Sequence, residues 1–186
     1  GGTSWSEPVQ VTSPGQHPGD LVTLSDGSQY QAALVESVDR HDLAVLYITQ
    51  PLPALTLAPV KPIREGTEIA LTGFPIGMPL CLYPVTHRGI VSAVIPMAPP
   101  QLGSRNLTPK MIKAMRNPFD VLQLDATAYP GNSGSPVYEQ STGKVVGVVN
   151  SVLVKSTKES ALENPTGISY AIPVRHVRQL LAREQP

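Results

Sequence analysis

Apolar positions along this chain fall in short, β-branched runs, each closed by glycine, proline or a small polar residue: LVTLSDGSQYQAALVES, LAVLYI, EIALTGFPI, RGIVSAVI, VLQLDA, SPVYEQSTGKVVGVVNSVLV and GISYAI. With 20 prolines and 15 glycines among 186 residues, and no helical periodicity between the runs, the pattern predicts an all-β barrel or sandwich. SDGS and QSTGK predict hairpin turns, because Asp26-Gly27 and Thr142-Gly143 supply the positive φ that tight connections demand. Two helices are predicted: TPKMIKAMRN, opened by Thr108 as cap with Pro109 behind it, and PVRHVRQLLARE at the C-terminal end. Residues 96–120 read as a proline-rich insertion between two strands, of a length that usually serves function or motion.

Charge changes little in this picture. Lys and Arg number 14, Asp and Glu 14, and the basic residues are scattered, which argues against nucleic acid or an anionic membrane surface as a partner. Cys81 is the lone cysteine, so an internal disulfide is excluded, a zinc site is not expected, and the residue reads as a small buried hydrophobe. No run approaches the roughly 20 apolar residues that span a bilayer, and residues 1–20 lack the order of a signal peptide.

Chemistry concentrates in DATAYPGNSGSPVY, Asp125 to Tyr138. A hydrolytic serine needs a neighbouring base and backbone N–H groups aimed at the oxyanion formed by attack. Gly131, two residues before Ser133, lets the chain turn so that the N–H groups of Gly131 and Ser133 point into one concavity. The competing reading is a serine- and glycine-rich surface turn. An α/β-hydrolase elbow is disfavoured, because Pro136 and a strand follow the serine where that fold places a helix.

DATAYPGNSGSP, followed by GKVVGVVNS and GISYAIPVRHVRQLL, resembles the C-terminal barrel of trypsin-like serine proteases of the HtrA/Deg type. Upstream, LVTLSDGSQYQAALVESVDRHDLAVLYI is similar to that family's strands leading to its triad aspartate, and GTEIALTGFPIGMPLCLYPVTHRGIVSAVI to its crossover between barrels. The resemblance covers about residues 20–182. It implies two six-stranded antiparallel barrels of the chymotrypsin type: a first, incomplete one over about 20–75, a second over about 76–174, and a C-terminal helix over 175–184. It also implies Ser133 as nucleophile, Gly131 and Ser133 as oxyanion donors, and Asp42 as the carboxylate orienting an imidazole. Asn132 stands where the family carries Asp or Asn. Asp42 has a plainer reading, as a turn residue capping the next strand.

The imidazole itself is not at its implied place. Counting back from Asp42 lands near Thr12, in VQVTSPGQ, which holds no histidine. His41 neighbours Asp42 in a strand-like run, which would turn the two side chains to opposite faces. His87 is expected to pack or be exposed in the second barrel, and His176 to lie on a solvated helix face. His17, in PGQHPGD, is the remaining candidate base, although it sits close to the strand that follows. The first barrel lacks a hairpin, and that hairpin would carry the histidine, so a lost N-terminal segment is expected.

By the same resemblance the specificity pocket has Thr127 at its base and walls around Asn150 and Val152. It holds no acidic group to pair Arg or Lys, so small or medium apolar P1 residues are expected. The implied activity is a serine endopeptidase acting on protein or peptide substrates without a cofactor. A homo-oligomer and a periplasmic or secreted location are compatible with the family. The alternative is a catalytically inactive trypsin-like domain serving as a peptide-binding or scaffolding module.

Overall fold

In the computed structural model the described residues are 10–12, 20–75, 83–97, 118–129, 131–150 and 167–183. β1 (Gln10–Thr12), β2 (Asp20–Thr23), β3 (Gln29–Val38) and β4 (Leu43–Ile48) form an antiparallel sheet in that order. The first long hairpin is set by its turn: Gly27 takes φ +85°, donates to the Leu24 carbonyl at 3.0 Å, and the Asp26 carboxylate accepts the Ser28 N–H at 2.8 Å. Val22, Leu24 and Ala32 form the core of this unit, with Leu46 and Ile48 packed against them.

The second unit is a closed barrel of β5 (Glu68–Gly73), β6 (Val85–Met97), β7 (Phe119–Asp125), β8 (Pro136–Glu139), β9 (Val145–Val149) and β10 (Ile168–Pro173), in the order β10-β7-β6-β5-β8-β9. Helix α1 (Val174–Arg183) follows β10 directly. Its apolar face buries Val174 and Leu180.

Strand alternation decides what each barrel residue buries. Along β7, Leu122 and Leu124 enter the barrel core with Ile69, Leu71, Val91 and Val137, whereas Phe119 and Val121 face the other way. That outer face, with Ile172 of β10, packs against Leu43 of β4 and makes the seam between the two units. Each fully buried side chain of this kind contributes about 1.5–3 kcal/mol. A fork from α1 ties the connection down: Arg178 donates from Nε to the Ala58 carbonyl and from a terminal nitrogen to the Leu57 carbonyl, both at 2.9 Å.

The all-β architecture and the short C-terminal helix match the expectation from the sequence. The unit boundary differs. The stretch EIALTG, read as part of the first unit and the crossover, is β5 and belongs to the barrel, pairing with β6 and β8. Ile69 and Leu71 alternate into the barrel core, and that burial fixes the assignment. The helix expected at 108–117, Cys81, and the greater part of the 96–120 insertion lie outside the described residues.

Candidate active site

After β7 ends at Asp125, the chain crosses the end of the barrel before turning. Ser169 of β10, buried, holds this crossing: its Oγ donates to the Ala126 carbonyl at 2.6 Å and accepts the Ala128 N–H at 2.9 Å. Thr127 lies between these two attachments, half-buried, so its main chain is fixed from below. No sequence motif singles out Ser169; its one signal is a small hydroxyl inside the apolar run GISYAI.

Two tight turns then carry Ser133. Gly131 has φ +97° and Gly134 φ +82°, conformations that favour glycine. The Asn132 N–H donates to the Tyr129 carbonyl and the Ser135 N–H to the Asn132 carbonyl, each at 3.0 Å. Gly134 N–H donates to Val149 and Val149 N–H to Ser135, each at 2.9 Å, stitching the turn to the end of β9. Ser133 is exposed. Among the described residues, no backbone carbonyl accepts the N–H of Gly131 or of Ser133.

Asn132 points the other way and is 0% exposed, with no partner for either amide atom among the described residues. It fills the space beneath the turn against Gly73, the last residue of β5, where an added Cβ would fall on Ser135 Oγ and 2.8 Å from Asn132 Oδ1. Gly73 therefore permits the close approach of β5 to the turn, a role only the tertiary structure reveals.

Asp42 and His41 occupy a turn, not a strand. Val38 pairs with Leu43, leaving Asp39–Asp42 as a loop in which His41 N–H donates to Val38 at 3.1 Å and Asp42 N–H to Asp39 at 3.3 Å. Asp42 has φ +50° and an exposed side chain. No hydrogen bond or ion pair among the described residues joins its carboxylate to Ser133 or to a histidine.

His41 turns its ring onto His176, with centroids 4.0 Å apart, and onto the edge of Phe119 at 4.9 Å. His176 is thus buried at 8% exposure and not on a solvated face, because α1 presents it to the seam. Burial, then the charge of His41 and Arg175, lowers its pKa to about 4. Burial, then Arg40, Arg183 and Arg175, lowers that of His41. His87 packs its ring 5.5 Å from Tyr129, with Nε2 buried and unpartnered among the described residues. Asn150 is buried and its N–H donates to the Tyr170 carbonyl at 2.9 Å. His17 and Val152 lie outside the described residues.

Among the described residues no group of three or more His, Cys, Asp and Glu could hold a metal ion, and no helix is long and apolar enough to cross a membrane. A family model described as "Trypsin-like peptidase domain" matches residues 7–148. A probable periplasmic serine endoprotease DegP-like from Halomonas elongata is 32% identical over 155 residues, covering 83% of this chain and 27% of that protein. Human serine protease HTRA4 is 34% identical over 163 residues, covering 87% and 29%. The chain thus spans under a third of these relatives' length. The solved structure of an HtrA-type protease, AlgW with a tripeptide, is 28% identical with a TM-score of 0.62, covering 88% of this chain and 46% of that one. The inactive form of the Rv3671c protease, 19% identical, shares the fold with a TM-score of 0.65, covering 91% and 73%.

Proposed function

The chain belongs to the trypsin-like peptidase domain family, and on that footing we propose that it is a serine endopeptidase domain of HtrA type in which Ser133 attacks the scissile carbonyl. The relatives are named serine proteases, which supports the reaction class. One observation of this chain carries the assignment: the Gly131–Gly134 turn exposes the Ser133 hydroxyl beside two N–H groups that no described carbonyl accepts. Gly131 and Ser133 N–H then receive the oxyanion, and Asp42 orients the imidazole that takes the Ser133 proton and returns it to the leaving amine. Thr127 and Asn150, with Val152, form the specificity pocket. It accepts small or medium apolar P1 residues, since a buried Lys or Arg there would lack a partner charge.

The test is labelling of the full-length protein with a fluorophosphonate. Stoichiometric labelling that Ser133→Ala abolishes supports the assignment; a folded preparation that takes up no label overturns it. A peptide library cleaved mainly after Arg or Lys would overturn the pocket. Removing one triad member leaves about 10³ to 10⁴ over water, so labelling decides where slow turnover does not. The second reading, a non-catalytic peptide-binding domain on the same fold, is favoured by the exposed Asp42 carboxylate and by the commitment of His41 and His176 to each other.

A further inference from the structure

One ring from each of three elements meets at the seam between the units: His41 from the β3–β4 turn, Phe119 from β7 and His176 from α1. The next residue after His41 is Asp42, held at φ +50°, a left-handed conformation that is uncommon for a non-glycine residue and that Asp tolerates better than most. Two backbone hydrogen bonds within the turn, the His41 ring, and Arg40, whose guanidinium lies 5.9 Å from the Phe119 ring centroid, are among the contacts that anchor it.

We propose that His41 and His176 form a positioning pair for Asp42, locking the β3–β4 turn onto α1 and β7 while both imidazoles are neutral and releasing it when the pair takes up protons. This rests on the reading of Asp42 as the triad carboxylate.

The hydrogen bonding supplies the reason. Arg175 Nε–H donates to His176 Nε2 at 3.2 Å, so the neutral ring carries its proton on Nδ1. That Nδ1 is buried with no acceptor among the described residues, beside the His41 ring. Protonating His176 needs Nε2, which means giving up the Arg175 hydrogen bond and placing an imidazolium beside a guanidinium.

The charges that act on the pair are cationic and disfavour its protonation. The turn contributes Arg40, between Asp39 and His41 and with Asp42 next along the chain, and α1 contributes Arg175 and Arg183. Of the carboxylates nearby, Asp120 of β7 is taken by Arg175 at 2.9 Å and Glu36 of β3 by Arg183 at 3.1 Å. Gln179, one turn along α1, acts in the opposite direction on His176. Protonating both rings, 4.0 Å apart, sets like charges side by side and favours their separation, and their titrations are coupled. Separation moves His41, and with it the residue that follows.

Nuclear magnetic resonance of the full-length protein tests this. Between pH 7.5 and 3, the His176 ring is expected to titrate more than one unit below the ordinary histidine range. The Arg40–Leu43 amides should shift with the same midpoint, while β8 and β9 amides stay still. His176→Phe, which keeps an aromatic ring at the seam, should remove the part of the turn's titration that shares the His176 midpoint and leave only that of His41, and His41→Phe should move the His176 midpoint upward. A His176 that titrates near 6.5, or turn amides that ignore it, overturns the proposal. At pH 8, His176→Ala should slow fluorophosphonate labelling by about tenfold or more, and His176→Phe should recover most of that loss. Wild-type labelling in His176→Ala would refute positioning. If Ser133 labels in no variant, the protease reading fails, and the resonance coupling is then judged by its own outcomes.

Discussion

Gly73→Ala tests the packing beneath the nucleophile turn. No positive φ is recorded at this residue, so alanine meets no backbone strain and the entire cost is steric. The added methyl would overlap Ser135 Oγ and lie 2.8 Å from Asn132 Oδ1 and 3.2 Å from Ser135 Cβ. A hydroxyl can rotate, but Asn132 is fully buried and Ser135 is tied through its main chain to Asn132 and Val149, so the turn itself must shift. Replacing glycine gains about 0.4–1 kcal/mol by restricting the unfolded chain, whereas overpacking costs about 1–3 kcal/mol. The net expectation is a loss of about 1–2 kcal/mol, or roughly 2–8 °C in melting temperature for a chain of this size. Labelling of Ser133 by a fluorophosphonate should fall disproportionately, because a displacement of about 1 Å in a reacting group can cost about 100-fold. Gly66→Ala is the control: Gly66 has φ +80° and nothing within 4 Å of an added Cβ, so it should lose stability through backbone strain and leave labelling intact. Wild-type stability and labelling in Gly73→Ala would refute the argument.

Ser169→Ala removes both attachments of the Ala126–Ala128 segment and leaves a buried carbonyl and a half-buried N–H unpaired; we expect a loss of about 1–3 kcal/mol in urea unfolding and broadened P1 selectivity in a peptide library. Arg178→Ala should destabilise the connection at Leu57 and Ala58, read as faster amide exchange there, and Arg178→Lys should not rescue it because an ammonium cannot reproduce the fork. Stability should fall as pH drops from 6.5 toward 4: the unfolded His176 binds a proton in that window and the folded one, with its pKa lowered to about 4, does not. The lost contribution is about 3 kcal/mol at most, complete above pH 6.5 and gone below pH 4, and urea titrations of His176→Phe should show a shallower acid limb.

What the sequence by itself determined is what depends on neighbours along the chain. Asp26-Gly27 and Thr142-Gly143 turn where they do because only such residues take the required φ cheaply, and Gly27 and Gly143 have φ +85° and +66°. The β-branched runs could form little but strands, the segment after Pro173 forms a helix, and the paired glycines around Ser133 make its turn legible as chemistry before any fold is known. The tertiary structure decided the rest, because burial is a property of what comes back from far along the chain. EIALTG became a barrel strand only because Ile69 and Leu71 found the interior with Leu122 and Val137. Asn132 became a buried strut and Ser169 a tether because β5 and β10 arrive beneath the turn. His41 and His176 read singly as a strand residue and a solvated helix residue; they face each other because α1 folds onto the β3–β4 turn, and no local pattern encodes a contact between rings that distant in sequence.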